Sequence, residues 1–182
     1  MRQRGKEPNV VMYNMLLNGY CSQGHIEDAV KLFDSMVEIG QEPNVVSCNT
    51  LINGFCRARR LDEALRFFDH MNCKGLDPDI ITYNTIIDGL CKVGKVVEAM
   101  ELFIDMQSSG STPNIVSYGA LIAGLCFNGH LSEAKELFHV MKKNGLKPDA
   151  RINSVLVRYM TRAGELNEAN ELVLQEGLDK YV

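Results

Sequence analysis

The chain has no tryptophan, no closely spaced pair of cysteines, and no apolar run long enough to cross a membrane as a helix. A membrane helix needs about 18 or more apolar residues in succession, so no membrane partner is predicted. Common zinc sites use cysteine pairs such as Cys-x2-Cys, so neither a metal nor another cofactor is predicted. The basic start of the chain has no apolar stretch. The sequence therefore shows no targeting segment.

Six cysteines are present, and four of them recur at a fixed distance of 35 residues. These four are Cys21, Cys56, Cys91 and Cys126. We expect the cysteines to be small, reduced residues of the core rather than disulfide partners. Reduced thiols favour an intracellular compartment.

Proline is scarce, and its positions define a repeat. The five prolines are spaced by 35 residues, at Pro8, Pro43, Pro78, Pro113 and Pro148. A glycine precedes each of them by three positions, the first being Gly5. A fixed period of this length is the sequence signature of a repeat array.

We number the positions of each repeat as slots, with slot 1 two residues after the proline. The complete repeats are then 10–44, 45–79, 80–114 and 115–149, followed by a degenerate, shortened repeat, 150–182. Residues 1–9 are interpreted as the tail of an incomplete preceding repeat. We therefore expect the chain to be either a piece of a longer array or a short form.

Each repeat is predicted to contain two helices, at about slots 2–13 and slots 17–30. In the third repeat, Tyr83, Ile86, Ile87, Leu90 and Cys91 recur at the three-and-four spacing of a helix. The glycine at slot 31 is typical of a left-handed helix C-cap. Helix pairs of this kind stack on their neighbours. The predicted fold is all-α, a right-handed α-solenoid of helix-turn-helix repeats.

The openings of the first helices distinguish this repeat from the tetratricopeptide repeat, which has a 34-residue period and a tryptophan-containing signature. The segments "LINGFC" and "IIDGLCKVGKVVEAMELFIDM" resemble the pentatricopeptide repeat family. They are similar above all to its P-class, restorer-of-fertility-like plant members. The resemblance implies sequence-specific binding of single-stranded RNA, about one base per repeat. It also implies a role in RNA processing, stability or translation in a mitochondrion or chloroplast.

The resemblance also implies which slots contact RNA. In the family, the residues at slots 5 and 35 read the base and the residue at slot 2 sandwiches it. The implied readout residues are Asn14 with Asn44, Asn49 with Asp79, Asn84 with Asn114, and Gly119 with Asp149. The implied sandwiching residues are Val11, Val46, Ile81 and Val116.

The family's code then predicts 5′-pyrimidine-U-pyrimidine-N-3′ for the four complete repeats. The fourth base is unassigned because Gly119 has no side chain that could reach it. The fifth repeat, with Arg151 at slot 2 and Ser154 at slot 5, is expected to cap the array.

The chemistry of slot 5 is consistent with base readout, although a structural role is an alternative. An asparagine offers both a donor and an acceptor to a base edge, whereas an ionised aspartate only accepts. The alternative is that the slot-5 asparagine is an N-cap or a polar residue of the first helical turn. Its recurrence in three repeats, each with Asn or Asp at slot 35, favours readout.

Net charge is −4, which is unusual for a nucleic-acid-binding protein. The basic residues are nevertheless concentrated at slots 1–14, which hold five of them against one acidic residue, Asp88. Three of the five occupy slot 13, namely Arg57, Lys92 and Arg162. By the resemblance, they contact the RNA backbone.

Two other classes of function are alternatives to RNA binding. A scaffold similar to tetratricopeptide repeats would bind a peptide or protein partner, and the open first repeat would favour homodimerisation. An enzyme is not expected, because the sequence has no catalytic motif of nucleophile and base and no phosphate-binding glycine loop.

Overall fold

The computed structural model describes residues 9–175, which form ten α-helices and no strand. The first helices of successive repeats are α1 (Val10–Gln23), α3 (Val45–Arg57), α5 (Ile80–Lys92), α7 (Ile115–Phe127) and α9 (Ala150–Ala163). The second helices are α2 (Ile26–Glu38), α4 (Leu61–Cys73), α6 (Val96–Ser108), α8 (Leu131–Lys143) and α10 (Leu166–Gln175). Each first helix is followed by its second helix after a short turn.

The described helices form two compact units, and the chain is divided between them at Gly89 and Leu90, inside α5. In the first unit, α1 packs on α2, α3 packs on α4, and α1 also contacts α3. In the second unit, α7 packs on α8, α9 packs on α10, and α7 contacts α9. Within each unit, therefore, helix pairs stack through their first helices.

The second helices end at the glycines that the sequence predicted as C-caps. Their φ angles are 77° at Gly40, 68° at Gly75, 86° at Gly110 and 78° at Gly145, which lie in the left-handed region. The turn between the two helices of a repeat uses another left-handed residue, usually glycine. In the second repeat that residue is Arg59, with φ 59°. A residue with a Cβ adopts this conformation at a cost of about 1–2 kcal/mol.

The core is built from residues that recur at fixed slots. The slot-20 alanines and slot-27 methionines of the complete repeats are fully buried, namely Ala29, Ala64, Ala99, Ala134, Met36, Met71, Met106 and Met141. Aromatic contacts link one repeat to the next. The ring centroids of Phe68 and Tyr83 lie 5.6 Å apart, and those of Phe103 and Tyr118 are separated by 5.1 Å.

The cysteines only partly match the expectation of a buried core. Cys21, Cys48, Cys91 and Cys126 are buried thiols outside any disulfide, and burial raises the pKa of Cys48 and of Cys126 to about 11. Cys48 and Cys126 are therefore protonated at neutral pH and are poor nucleophiles. The expectation is wrong for Cys73, which is exposed at the end of α4, and Cys56 is only half-buried.

A close approach between first helices explains the recurrent slot-10 glycine. A Cβ at this position would crowd the slot-12 cysteine of the preceding repeat. The distances to Sγ would be 2.7 Å from Gly54 to Cys21, 2.9 Å from Gly89 to Cys56, and 2.2 Å from Gly124 to Cys91. Real Cβ atoms do not approach other atoms so closely, so only glycine fits without a shift of the helices. Gly19 has no atom within 4 Å of such a Cβ.

We expect Gly124→Ala to destabilise the protein by about 1–2 kcal/mol, because overpacking against Cys91 outweighs the gain in helix propensity. Gly19→Ala is the matched control. It occupies the same slot without the contact and should stabilise the protein by up to about 1 kcal/mol. Urea unfolding of the two variants measures the difference, and equal effects would show that the close approach is not a constraint.

Candidate nucleic-acid interface

The slot-35 residues are the N-caps of the first helices that follow them. Their side-chain Oδ1 atoms accept hydrogen bonds from backbone N–H groups of the first turn. The donors are Ser47 for Asn44 at 3.0 Å, Thr82 for Asp79 at 2.9 Å, Ser117 for Asn114 at 3.1 Å, and Ile152 for Asp149 at 2.8 Å. Asn and Asp are among the preferred N-cap residues because they satisfy these donors. Slot 35 therefore has a structural role in every complete repeat.

In the first two repeats, the structure brings slot 5 and slot 35 together. The Nδ2 of Asn14 donates to Oδ1 of Asn44 at 3.3 Å, and the Nδ2 of Asn49 donates to Oδ1 of Asp79 at 3.0 Å. Both slot-5 asparagines lie inside helices, so the N-cap alternative is wrong for slot 5. Residues predicted to read one base are thus hydrogen-bonded neighbours.

The cap uses only one of the two terminal atoms of each slot-35 side chain. Among the residues described by the structure, neither Nδ2 of Asn44 nor Oδ2 of Asp79 makes a hydrogen bond. Oδ1 is common to both residue types, whereas the remaining atom is an NH2 donor in Asn and an acceptor in Asp. The atom that distinguishes Asn from Asp is therefore the one available to a ligand.

Asp79 is held as a carboxylate by its neighbours. Burial raises its pKa, but hydrogen bonds from the Thr82 backbone, the Asn49 amide, the Thr82 hydroxyl and the Ile81 backbone outweigh burial and leave the pKa below its usual value. The side chain is therefore ionised at neutral pH, and its free oxygen can only accept.

The sequence interpretation missed a third member of these clusters, the hydroxyl at slot 3 of the following repeat. Ser47 Oγ lies 2.6 Å from Oδ1 of Asn14, and Thr82 Oγ1 lies 2.6 Å from Oδ1 of Asn49. The available signal was the recurrence of Ser, Thr and Ser at slot 3 in the second to fourth repeats. Each cluster thus contains an amide, a cap residue and a hydroxyl.

The predicted readout residues of the third repeat lie in different compact units, and the fourth repeat has a glycine at slot 5. Asn84 belongs to the first compact unit and Asn114 to the second, and Oδ1 of Asn84 is buried with no hydrogen-bond partner within residues 9–175. In the fourth repeat, a Cβ on Gly119 would lie 3.3 Å from the side chain of Ile152. Asp149 therefore caps α9 without an amide partner at slot 5.

The slot-2 residues are uniformly exposed although they are apolar. The exposed fractions are 59% for Val11, 57% for Val46, 59% for Ile81 and 60% for Val116. Each lies in the first turn of its helix, two residues after the N-cap. An apolar side chain therefore stands in solvent beside each cap, where it could pack on the face of a base.

The predicted backbone contacts also lie at the surface. Arg57, Lys92 and Arg162 are exposed and occupy the last turns of α3, α5 and α9. The guanidinium of Arg162 stacks over the Tyr159 ring at 5.4 Å. A cation in the last helical turn is also favoured by the helix dipole.

Other kinds of site are not found in the described part of the chain. Residues 9–175 contain no group of three or more His, Cys, Asp or Glu side chains that could hold a metal ion. None of the described helices is both long enough and apolar enough to cross a bilayer.

These features define an all-α protein of stacked helix-turn-helix repeats, as predicted, in which polar clusters lie at the starts of the first helices α3 and α5. Residues 8–47, 43–92, 78–126 and 113–151 match the model of the PPR repeat family, so the chain belongs to this family. A pentatricopeptide repeat-containing protein of Arabidopsis thaliana is 51% identical over 39 residues, which are 21% of this chain and 6% of the relative. The family and the fold predicted from sequence are confirmed.

Solved structures of the same family are similar over nearly the whole chain. PPR10 from maize is 30% identical with a TM-score of 0.80, and the match covers 98% of this chain and 26% of PPR10. PPR10 in complex with an 18-nt psaJ RNA element gives a TM-score of 0.83 at 30% identity, over 97% of this chain and 26% of PPR10. The chain thus spans about a quarter of PPR10.

A more distant structure is similar in fold alone. The PPR domain of Arabidopsis thaliana protein-only RNase P 1, in complex with tRNA, is 18% identical with a TM-score of 0.74. The match covers 91% of this chain and 87% of that domain.

The depressed pKa of Asp79 predicts a specific dependence of stability on pH. A carboxyl group with a lowered folded-state pKa stabilises the fold above its unfolded pKa of about 3.9, and the contribution is lost as pH falls through the folded pKa. Asp79→Asn keeps the capping oxygen but does not titrate. We expect the stability difference between the two proteins to shrink as pH falls below about 4.

The measurement is urea unfolding of both proteins between neutral and acidic pH. Asp79→Ala is the control, because it removes the cap at every pH and should cost about 1 kcal/mol at neutral pH. A difference between parent and Asp79→Asn that does not change with pH would contradict the prediction.

Proposed function

We propose that this protein binds single-stranded RNA in a sequence-specific manner, about one base per repeat, and acts without catalysis. The observation that carries the proposal is the pairing of an asparagine amide with a slot-35 side chain, next to an exposed apolar residue at slot 2. The pairing occurs at Asn14 with Asn44 and at Asn49 with Asp79. The similarity to PPR10, which is known in complex with RNA, supports it.

The free atoms of the two pairs explain how they would differ in base preference. A pyrimidine presents a ring N3 between two exocyclic groups, and N3 is a donor in uracil and an acceptor in cytosine. The free carboxylate oxygen of Asp79 would accept from uracil N3–H and repel cytosine N3. The free Nδ2 of Asn44 is a donor, which would pair with N3 of cytosine or with a carbonyl oxygen of uracil. The second repeat therefore prefers uracil, and the first accepts a pyrimidine.

Extended to all complete repeats, the proposed target is 5′-pyrimidine-U-pyrimidine-N-3′. The third base is assigned to Asn84 and Asn114. The fourth is undefined because Gly119 leaves Asp149 without a partner amide. The slot-2 side chains would sandwich the bases, and Arg57, Lys92 and Arg162 would contact phosphates.

The biological setting is proposed at the level of the family. We assign the protein to organellar RNA processing, stability or translation, in a mitochondrion or chloroplast. The P-class, restorer-of-fertility-like subtype and the division into repeats 10–44, 45–79, 80–114, 115–149 and 150–182 belong to the same proposal.

Binding of a protein partner is a second candidate, and the surface of α1 favours it. Met12, Met15 and Leu16 are 50%, 71% and 54% exposed on this helix. Such an apolar surface could associate with a second copy of the chain or with another protein. This association and RNA binding use different residues, so both can hold for the same molecule.

The base preference of the second repeat can be tested directly. We expect RNAs that differ only at the second base to bind the full chain most tightly when that base is U, by about fivefold to tenfold over C, as is typical of one discriminating hydrogen bond. Asp79→Asn should reduce the U-to-C ratio and leave preferences at the first base unchanged. Fluorescence anisotropy at low salt provides the affinities. Equal binding of all four bases would reject sequence-specific readout by this repeat.

The role of the slot-13 cations makes a separate prediction. Arg57→Glu combined with Lys92→Glu should weaken binding to every RNA by a similar factor and flatten the dependence of log Kd on log salt, because fewer counterions are released. Lys31→Glu is the control, since Lys31 lies on α2 and is exposed. Its slope should match that of the parent. An unchanged slope in the double variant would show that Arg57 and Lys92 do not contact the RNA backbone.

A further inference from the structure

We propose that the buried hydroxyls at slot 3, Ser47 and Thr82, are positioning residues for RNA recognition. Each would fix the amide of the reading asparagine in the preceding repeat and thereby set its base preference. The inference rests on the proposed function. It adds a specificity-determining position that does not touch the base.

The hydroxyls are part of the rigid interior. The side chains of Ser47 and Thr82 are fully buried, and each hydroxyl oxygen lies 2.6 Å from Oδ1 of the preceding repeat's asparagine, Asn14 or Asn49. This distance is at the short end of the range for O–H···O hydrogen bonds. A buried hydroxyl with a short hydrogen bond holds its partner in one orientation.

The hydroxyl of Thr82 makes its shorter hydrogen bond to Asn49 rather than to the cap. Thr82 Oγ1 has two acceptors within reach, Oδ1 of Asn49 at 2.6 Å and Oδ1 of Asp79 at 2.9 Å, but a hydroxyl carries one proton. The Asp79 oxygen already receives the N–H groups of Ile81 and Thr82 and the Asn49 amide. The hydroxyl therefore pairs chiefly with Oδ1 of Asn49, to which no other donor among residues 9–175 forms a hydrogen bond.

The resulting arrangement resists rotation of the amide by 180°. In the observed orientation, Asn49 donates through Nδ2 to the Asp79 carboxylate and accepts through Oδ1 from Thr82. Rotation would place the amide oxygen against the carboxylate, two acceptors in contact, and would leave the Thr82 proton facing an NH2 group. Thr82 and Asp79 thus decide together which atom of Asn49 is the donor and which is the acceptor toward a base.

The sequence shows the same association of the two slots. A hydroxyl residue lies 33 positions after each slot-5 asparagine: Ser47 after Asn14, Thr82 after Asn49, and Ser117 after Asn84. The residue 33 positions after Gly119 is Ile152. In the structure, Ile152 occupies the space next to Gly119, where a Cβ would lie 3.3 Å from its side chain. The repeat that lacks the amide therefore also lacks the hydroxyl.

The test compares three variants in the full chain. Thr82→Val removes the hydroxyl at nearly constant volume, and we expect the U-to-C ratio at the second base to fall about fivefold, as for the loss of one hydrogen bond. Thr82→Ser keeps the hydroxyl and should retain the ratio. Thr85→Val is the control, because Thr85 is on the same helix and its hydroxyl donates to the Ile81 carbonyl, its one side-chain hydrogen bond within residues 9–175. Retention of the ratio in Thr82→Val would overturn the inference.

A double-variant cycle separates positioning from a general structural effect. Asn49→Ala should abolish the preference at the second base. In that background, Thr82→Val should produce no further change in base preference, because the side chain it positions is gone. A further change of the same size would show that Thr82 acts by another route, and the inference would fail.

An RNA-free measurement distinguishes this inference from the proposed function. The side-chain NH2 signals of Asn49 in NMR spectra should show restricted motion in the parent and in Thr82→Ser, and increased motion in Thr82→Val. Restricted motion in all three proteins would reject the positioning role whatever the RNA data show. The expected NMR changes together with no base preference in the parent would instead reject the proposed function, and with it the role of Thr82 in recognition.

The fourth repeat allows a gain-of-function test. Gly119→Asn combined with Ile152→Thr introduces both missing groups in front of the Asp149 cap, and we expect a new preference for U at the fourth base. Gly119→Asn alone leaves the amide crowded by Ile152 and without a hydroxyl, so it should show a weaker preference. An equal preference in the single and double variants would count against the hydroxyl. Unfolding curves identify variants that fail to fold. If the fourth-repeat variants do not fold, the results for Thr82→Val and Thr82→Ser test the inference.

Discussion

The close approach of consecutive first helices is the constraint from which the other features follow. Glycine at slot 10 removes the side chain that would otherwise meet the slot-12 cysteine of the preceding repeat, as at Gly54 and Cys21. With the helices at this distance, a hydroxyl at the start of one helix can reach an amide on the helix before it. The hydrogen bonds of 2.6 Å from Ser47 and Thr82 depend on this contact. A larger residue at slot 10 would move the two helices apart. The members of each polar cluster would then be separated although none of them had been substituted.

In the proposed mode of RNA binding, the polar clusters combine folding and recognition in the same atoms. The cap oxygen of Asp79 satisfies backbone donors that a helix would otherwise leave unpaired, and it also receives the amide of Asn49. If the cap residue did not also accept a hydrogen bond from the Asn49 amide, the side chain of Asn49 could rotate. The arrangement therefore makes the reading residues rigid without a separate supporting structure, which reduces the entropy lost on binding.

Much of the fold could be predicted because it depends on local chemistry that repeats. Glycines at slot 31 have the positive φ that their position implied, and alanine and methionine at slots 20 and 27 are buried as their spacing indicated. The exposure of Cys73 follows from its slot rather than from its residue type, because slot 29 of the other complete repeats holds the polar residues Glu38, Ser108 and Lys143. The slot-3 hydroxyls were visible as a recurrence, but their partner lies 33 positions earlier in the chain. Only the packing of one repeat on the next shows that the two slots meet.

The dual use of slot 35 has a consequence for how such a protein changes over generations. Asn44 and Asp79 start their helices through the same oxygen and differ only in the atom that remains free. The codons of these two amino acids differ by a single nucleotide. Under the proposed readout, one point mutation would therefore change the base preference of a repeat while its helix keeps a cap throughout. New RNA targets would then be accessible to this scaffold without an unstable intermediate.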